Sequence, residues 1–384
     1  MVVGIVAVAF NLRPALVSIG PVLAELTAEL GMSPTAAGLL TTLPALAFAT
    51  FGVLAPGVAA RMGVHRVTLL SLLAMVTGLA LRARAESSPS FLLLSVLALA
   101  GMAAANVLLP SLVKLHFPHR IGLLTSVYTT ALALGLSLAS VLTVPVSEAA
   151  GSWRAGIGVW ALTALVAAAP WVLLLRHDRA LDRTRSTITL GQVGRTGLGW
   201  AMALFFGLQS LQAYSIFGWF AQVYRDAGFS AATAGLLLGV ITVVSIPLSF
   251  VMPSLTVRLR SPAPLICGLV LLYPIGYGGL ILAPVAGAWA WAVLIGTATS
   301  VFPVALTLIG LRARTSAGTA ALSGFTQGAG YVVASTGPFT VGLLHDLTDG
   351  WTVPLLALIA LAVPQLVTGL LVSRRRYVED ATAR

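Results

Sequence analysis

The stretch LLLSVLALAGMAAANVLLP, residues 92–110, offers no polar face to a helix and no polar alternation to a strand. About a dozen runs of this kind fill the chain. A bilayer core about 30 Å thick takes roughly 20 helical residues at 1.5 Å rise each. The runs therefore predict spanning helices near 2–25, 35–60, 66–84, 91–113, 122–146, 155–176, 198–222, 232–257, 264–284, 288–311, 318–344 and 353–373. A spanning barrel is excluded, because its strands alternate apolar and polar residues over about ten positions. Only 9% of residues are charged, where a soluble domain carries about 25%, and mean hydropathy is +0.99. The fold class is an all-α membrane protein.

Charge placement sets the expected orientation. With the N-terminus in the cytoplasm, inner loops and tail hold 17 Lys and Arg against four acids, Asp178, Asp182, Glu379 and Asp380. The outer loops hold Arg82, Arg84, Arg154 and Arg225 against seven acids. The excess of basic residues inside predicts that both termini are cytoplasmic. It also accounts for the net charge of +11 without a nucleic-acid partner. The single cysteine, Cys267, reads as a packing residue and allows no intramolecular disulfide. The first apolar run lacks a charged leader and a cleavage pattern, so it is expected to be a retained helix.

The longest polar interruption, HDRALDRTRSTITLGQVGRTG at 177–197, divides the chain into bundles of six helices, 1–176 and 198–384, with 177–197 as a cytoplasmic linker. A shift of 197 residues pairs Ser18 with Ser215, Gly31 with Gly228, Pro56 with Pro253 and Arg61 with Arg258. A shift of 198 pairs Leu124 with Leu322, Ser137 with Ser335 and Trp153 with Trp351. Two six-helix pseudo-repeats of this kind resemble the major facilitator fold, in which substrate binds at the midplane between halves. The loop RMGVHR, 61–66, resembles the basic cytoplasmic motif of that superfamily, but Ala60 stands where an aspartate is usual.

Arg13 is the one charged side chain expected within the hydrocarbon. A cation there costs about 2.5–3.5 kcal/mol on insertion scales, so it is expected to face a wet cavity and meet an anion. About 18 Å of helix separates it from the chain start, too far for easy snorkelling. Pro14 and the Gly20-Pro21 pair interrupt the same helix and favour kinks. Asn11 lies about 200° from Arg13 on an ideal helix. It is open to a lumenal role or to bonding between helices.

Asn106, Tyr128, Gln209, Gln212, Gln327 and Tyr331 are the other polar candidates within spans. Gln209 and Gln212 are spaced i, i+3, and Ser323, Gln327 and Tyr331 fall on one face. For the two glutamines, cavity lining and helix–helix bonding both stay open. A guanidinium among neutral amides and phenols suits a small carboxylate-like anion. No acid or histidine lies mid-membrane to relay protons. His345 and Asp346 read as a solvated helix end, and His65, His116, His119 and His177 map to cytoplasmic loops without metal spacing. No catalytic residue, metal or cofactor is expected.

NLRPALVSIGPVLAEL, KLHFPHRIGLLTSVYTTALALG, GLQSLQAYSIFGWFAQ and ALSGFTQGAGYVVASTGPFTVGLLHDLTDGW resemble the cyanate and nitroimidazole transporter group, CynX and NimT, of the major facilitator superfamily. The likeness spans nearly the whole chain. The group usually carries a short cytoplasmic tail ahead of its first helix; the given sequence starts almost at that helix, which is expected to leave the site unchanged. The resemblance implies a monomeric bacterial inner-membrane transporter of a small anion or small polar heterocycle. Three functions follow: anion transport by alternating access, efflux of a neutral drug-like compound, and binding without translocation as a sensor. The lack of a nucleophile–base pair in the spans argues against an enzyme.

Overall fold

Lipid cannot hydrogen-bond a peptide group, so each apolar run must satisfy its backbone internally, and a helix does so within one segment. The computed structural model describes residues 1–32, 34–175 and 188–382. It is 86% helical, with no strand among the described residues. Among the described residues, nine helical stretches are long and apolar enough to cross a membrane. They are α1 (Val2–Val22), α3 (Val64–Arg82), α4 (Ser88–His116), α5 (Ile121–Ala149), α6 (Trp153–Leu174), α8 (Thr233–Arg258), α9 (Ala263–Leu282), α10 (Ala288–Leu311) and α12 (Thr352–Ser373). The other three expected spans are helical as well. They are α2, which runs through Pro34–Ala47, a π-helical turn Phe48–Gly52 and Val53–Met62; α7, Gly197–Asp226; and α11, Ser316–Thr348.

The chain forms two compact units. One comprises Met1–His119, Val127–Leu190 and Thr315–Gly324; the other comprises Arg120–Ser126, Gly191–Arg314 and Phe325–Arg384. Most of the expected linker, 176–187, lies outside the described residues. In the second unit Leu211, Ile216, Phe220, Leu237, Ile241, Ile295 and Leu358 form part of a buried apolar cluster. Leu93, Val166 and Leu282 are instead largely exposed, as side chains that meet lipid would be.

The sequence repeat has a structural counterpart at the helix ends. Each unit joins a tryptophan to an acid at the matching position. In the first, the Trp153 indole N–H donates to Glu29 Oε2 at 2.5 Å; in the second, Trp351 donates to Asp226 Oδ2 at 2.8 Å. Just beyond each acid stands a glycine with positive φ, Gly31 at 57° and Gly228 at 100°, where a Cβ would be strained. The second partners differ. Arg154 Nη2 lies 2.9 Å from Glu29 Oε1, whereas Asp226 has His345 Nε2 at 4.0 Å. His345 is half-buried with its ring tilted against Trp351, centroids 4.1 Å apart, while Asp346 is exposed at the same helix end. The Trp153 bond, and after it Arg154, hold the Glu29 carboxyl below the ordinary carboxylate range.

One loop expectation is corrected. RMGVHR is not an extended loop: α2 ends at Met62, α3 starts at Val64, and Gly63 alone turns between them with φ 96°. His65 is consequently in α3, fully buried, with its Nε2 2.8 Å from Nε2 of His116 at the end of α4.

Candidate functional site

Pro14 has no N–H, so it cannot bond the Phe10 carbonyl four residues back. The first helix accordingly stops at Asn11, restarts over Pro14–Val17 and gives way to a 3-10 turn at Gly20–Val22. Arg13 stands in the gap, half-buried, its carbonyl accepting the N–H groups of Leu16 and Val17 at 3.0 Å. The break also lets another helix approach closely. Gly135 of α5 lies against Phe10, where a Cβ would come within 2.0 Å of the carbonyl oxygen.

A second arginine meets this segment. Arg82 was expected in an outer loop; it is the last residue of α3 and is fully buried. Its Nη1 donates to the Ala15 carbonyl at 3.0 Å and its Nη2 to Ser18 Oγ at 3.1 Å. The Pro14–Val17 segment is too short to satisfy its own last carbonyls, and the guanidinium supplies a donor. Arg13 is therefore not the only cation held among the spans. Sequence alone offered one signal, the position of Arg82 at the end of an apolar run. Whether it reaches water or turns inward depends on a broken helix 64 residues away.

The amide of Asn11 is used on α6 and on its own helix. Its Nδ2 donates to Ala7 O at 2.9 Å and Thr163 O at 3.2 Å, while Thr163 Oγ1 donates to Oδ1 at 2.7 Å. Within the same unit Asn106 and Tyr128 are buried on α4 and α5, at 4% and 1% exposure.

In the second unit Gln209 and Gln212 meet neutral partners. Pro303 has no N–H for the Thr299 carbonyl, and α10 breaks there between Ala298 and Val301. Gln209 Nε2 donates to that carbonyl at 3.1 Å, and its Oε1 accepts from Tyr273 Oη and Gln365 Nε2, both at 3.1 Å. One turn along α7, Gln212 Nε2 donates to Leu358 O at 3.0 Å and its Oε1 accepts from Tyr277 Oη at 2.9 Å. Tyr273, Tyr277 and Gln365 were not singled out in the sequence, although the i, i+4 spacing of the tyrosines matches the i, i+3 glutamines. Gln327 and Tyr331 are buried on α11, and the Tyr331 ring meets Phe206 edge-on at 5.2 Å and stacks near Tyr214 at 6.2 Å. Among the described residues no cluster of His, Cys, Asp and Glu could hold a metal ion.

Comparison with known proteins agrees with this architecture. The Major Facilitator Superfamily profile matches residues 3–338. The chain is 36% identical over 382 residues to the uncharacterized transporter YycB of Bacillus subtilis, covering 98% of this chain and 94% of that one. It is 32% identical to the 2-nitroimidazole transporter of Escherichia coli, covering 98% and 96%, and 27% identical to the cyanate transport protein CynX of the same organism, covering 91% of each. The solved proton:xylose symporter XylE superposes over the whole chain and 98% of its own, with a TM-score of 0.76 at 16% identity. The broken first helix and its arginines thus belong to a transporter of the major facilitator superfamily, in the cyanate and nitroimidazole group.

Proposed function

We propose that the chain moves a small anion, cyanate-like or a small carboxylate or oxyanion, across the bacterial inner membrane by alternating access. The observation that carries this reading is Arg13, a half-buried guanidinium in the gap of a spanning helix, where a cation is costly unless it serves a ligand or a wet cavity. A relative named as a cyanate transport protein supports it. Arg13 takes the substrate's charge. Asn106 and Tyr128 in the first unit, and Gln327 and Tyr331 in the second, are proposed substrate contacts. Asn11, Gln209 and Gln212 act through the helices they tie, since their amides already serve neighbouring carbonyls and hydroxyls. We propose a monomer with both termini in the cytoplasm, and six-helix halves at 1–176 and 198–384 joined by a cytoplasmic linker.

The test is uptake of radiolabelled small anions, cyanate included, into proteoliposomes carrying wild type, Arg13→Ala or Arg13→Lys. Saturable uptake by wild type, lost in both folded variants, is the expected result. If no anion moves, or Arg13→Ala transports like wild type, the anion reading fails. Efflux of a neutral heterocycle is the second reading, favoured by the 32% identity to a 2-nitroimidazole transporter. It is assayed with 2-nitroimidazole and predicts activity that survives loss of the guanidinium.

A further inference from the structure

The second unit contains a cavity of about 160 Å³ away from its glutamine network. It holds roughly five waters at about 30 Å³ each, enough for one oxyanion group with part of its hydration. Three arginines line it, Arg260, Arg312 and Arg375, with Thr256 and Tyr377, and the lining contains no carboxylate. Each arginine stands within two residues of the end of a span: after Arg258 of α8, after Leu311 of α10 and after Ser373 of α12. That is the depth of lipid headgroups.

The cavity is built, not a chance meeting of surface side chains. Arg312 is 5% exposed and fixed by two charge-assisted bonds, Nε to Val372 O at 2.7 Å and Nη2 to Ser373 O at 2.8 Å. The backbone N–H of Val378 donates to Arg312 O at 2.9 Å and ties the tail segment to the end of α10. The two acids of that tail are engaged outside the cavity. Asp380 pairs with Arg314, and Glu379 Oε1 accepts the Arg314 backbone N–H at 2.9 Å. Burial pulls Arg312 below the ordinary arginine range, Tyr377 pulls it up, and the like charge of Arg375 pulls it down again. Three cations around one small volume repel one another, and a bound anion removes that cost.

We propose that this cavity binds a phosphate oxyanion, with Arg312 as the fixed donor and Arg260 and Arg375 closing over it. Two sources carry that group at this depth, the headgroup of an anionic phospholipid and free phosphate. The apolar flank formed by Val257, Leu259 and Leu311 suits a lipid's glycerol and upper acyl chain. Basic pockets at span ends are a recurrent form of headgroup recognition.

The experiment uses the delipidated full-length protein in neutral detergent. Native mass spectrometry compares binding of phosphatidylglycerol with phosphatidylcholine, and thermal-shift measurements follow the response to millimolar inorganic phosphate. Variants are Arg260→Gln/Arg375→Gln and, as charge-preserving rescue, Arg260→Lys/Arg375→Lys. At about fivefold per basic residue, the glutamine pair should weaken phosphatidylglycerol binding roughly thirtyfold, and the lysine pair should restore most of it. Preference for phosphatidylglycerol that inorganic phosphate does not displace supports the lipid source. A phosphate-dependent thermal shift that vanishes in the glutamine pair supports free phosphate. Equal binding by wild type and a folded glutamine pair overturns the proposal. So does a wild type that neither prefers phosphatidylglycerol nor responds to phosphate, a result readable even if the double variant does not fold.

Discussion

The first and seventh helices occupy matching places in the repeat, yet they solve the same problem with different chemistry. α1 is interrupted at Leu12–Arg13 and again after Val17, and a fully buried guanidinium from α3 reaches the buried Ala15 carbonyl. α7 runs unbroken for 30 residues, and neutral amides and phenols carry its polar contacts. The crossings differ too. Gly135 of α5 makes room for Phe10 in the first unit; the residues at the matching positions of the second are Val333 and Gly207, and Gly207 also meets Gly330 of α11. What is kept between the halves is the close approach, which one glycine allows in the first and a glycine on each helix allows in the second. Each unit has an interrupted helix, but the break in α1 is met by the guanidinium of Arg82 and the break in α10 by the neutral amide of Gln209.

The sharpest way to break this comparison is at the crossing. In Gly135→Ala the new Cβ would lie 2.0 Å from the Phe10 oxygen, and backbone cannot yield as a flexible side chain does. Overpacking typically costs about 1–3 kcal/mol, and contact with main chain falls at or beyond the upper end. Size-exclusion profiles and thermal melts should show a large loss of folded protein, together with loss of transport. Near-wild-type behaviour would mean that α1 and α5 do not meet as described.

The next effect separates cation from amide. Arg82→Ala strips donors from Ala15 O and Ser18 Oγ, and a buried acceptor left unmatched costs about 1–3 kcal/mol. Gln212→Leu removes bonds to Leu358 O and Tyr277 Oη, and bonds between membrane helices average about 0.6 kcal/mol. Thermal melts should therefore rank Arg82→Ala well below Gln212→Leu, with anion uptake impaired in the first and largely kept in the second. Equal melting points, or uptake lost only in Gln212→Leu, would reverse the roles assigned to the two helices.

The smallest effect concerns the acids at the helix ends. Glu29 in the folded protein titrates below its ordinary value of 4.5, so its contribution to stability is fully present above about pH 4.5. It fades as pH falls through the lower, folded-state value. Glu29→Gln should lower the melting temperature slightly at pH 7 and flatten its fall below pH 4.5, so that variant and wild type converge at low pH. An unchanged acid limb would show that the Trp153 and Arg154 contacts do not stabilise the charged form.

The twelve-helix plan was legible because lipid forces every span to declare itself as an apolar run. The repeat was legible because residues such as Gly31, Gly228, Trp153 and Trp351 hold matching positions. Arg13 stood out for the same physical reason, as a charge among apolar neighbours. Arg82 did not, since an arginine at the end of a run reads the same whether it bends to water or to a carbonyl. Its burial depends on the carbonyl of Ala15, which only the break in α1 exposes. The glutamines were visible, but their partners were not. A polar residue within a span shows that a hydrogen bond is needed, and only packing decides whether Tyr273, Gln365 or a ligand supplies it. His65 was misplaced because a single glycine turn, where a loop was expected, starts α3 two residues earlier.

The tryptophan–acid pairs also bear on how the chain is made. Glu29 must wait for Trp153, and Asp226 for Trp351, so each contact closes only after four intervening helices have been synthesised. Contacts of such sequence separation form late, because the loop they close is long. Each contact marks the point at which the ribosome has delivered nearly all of one repeat, and the first can close before the second acid has been translated.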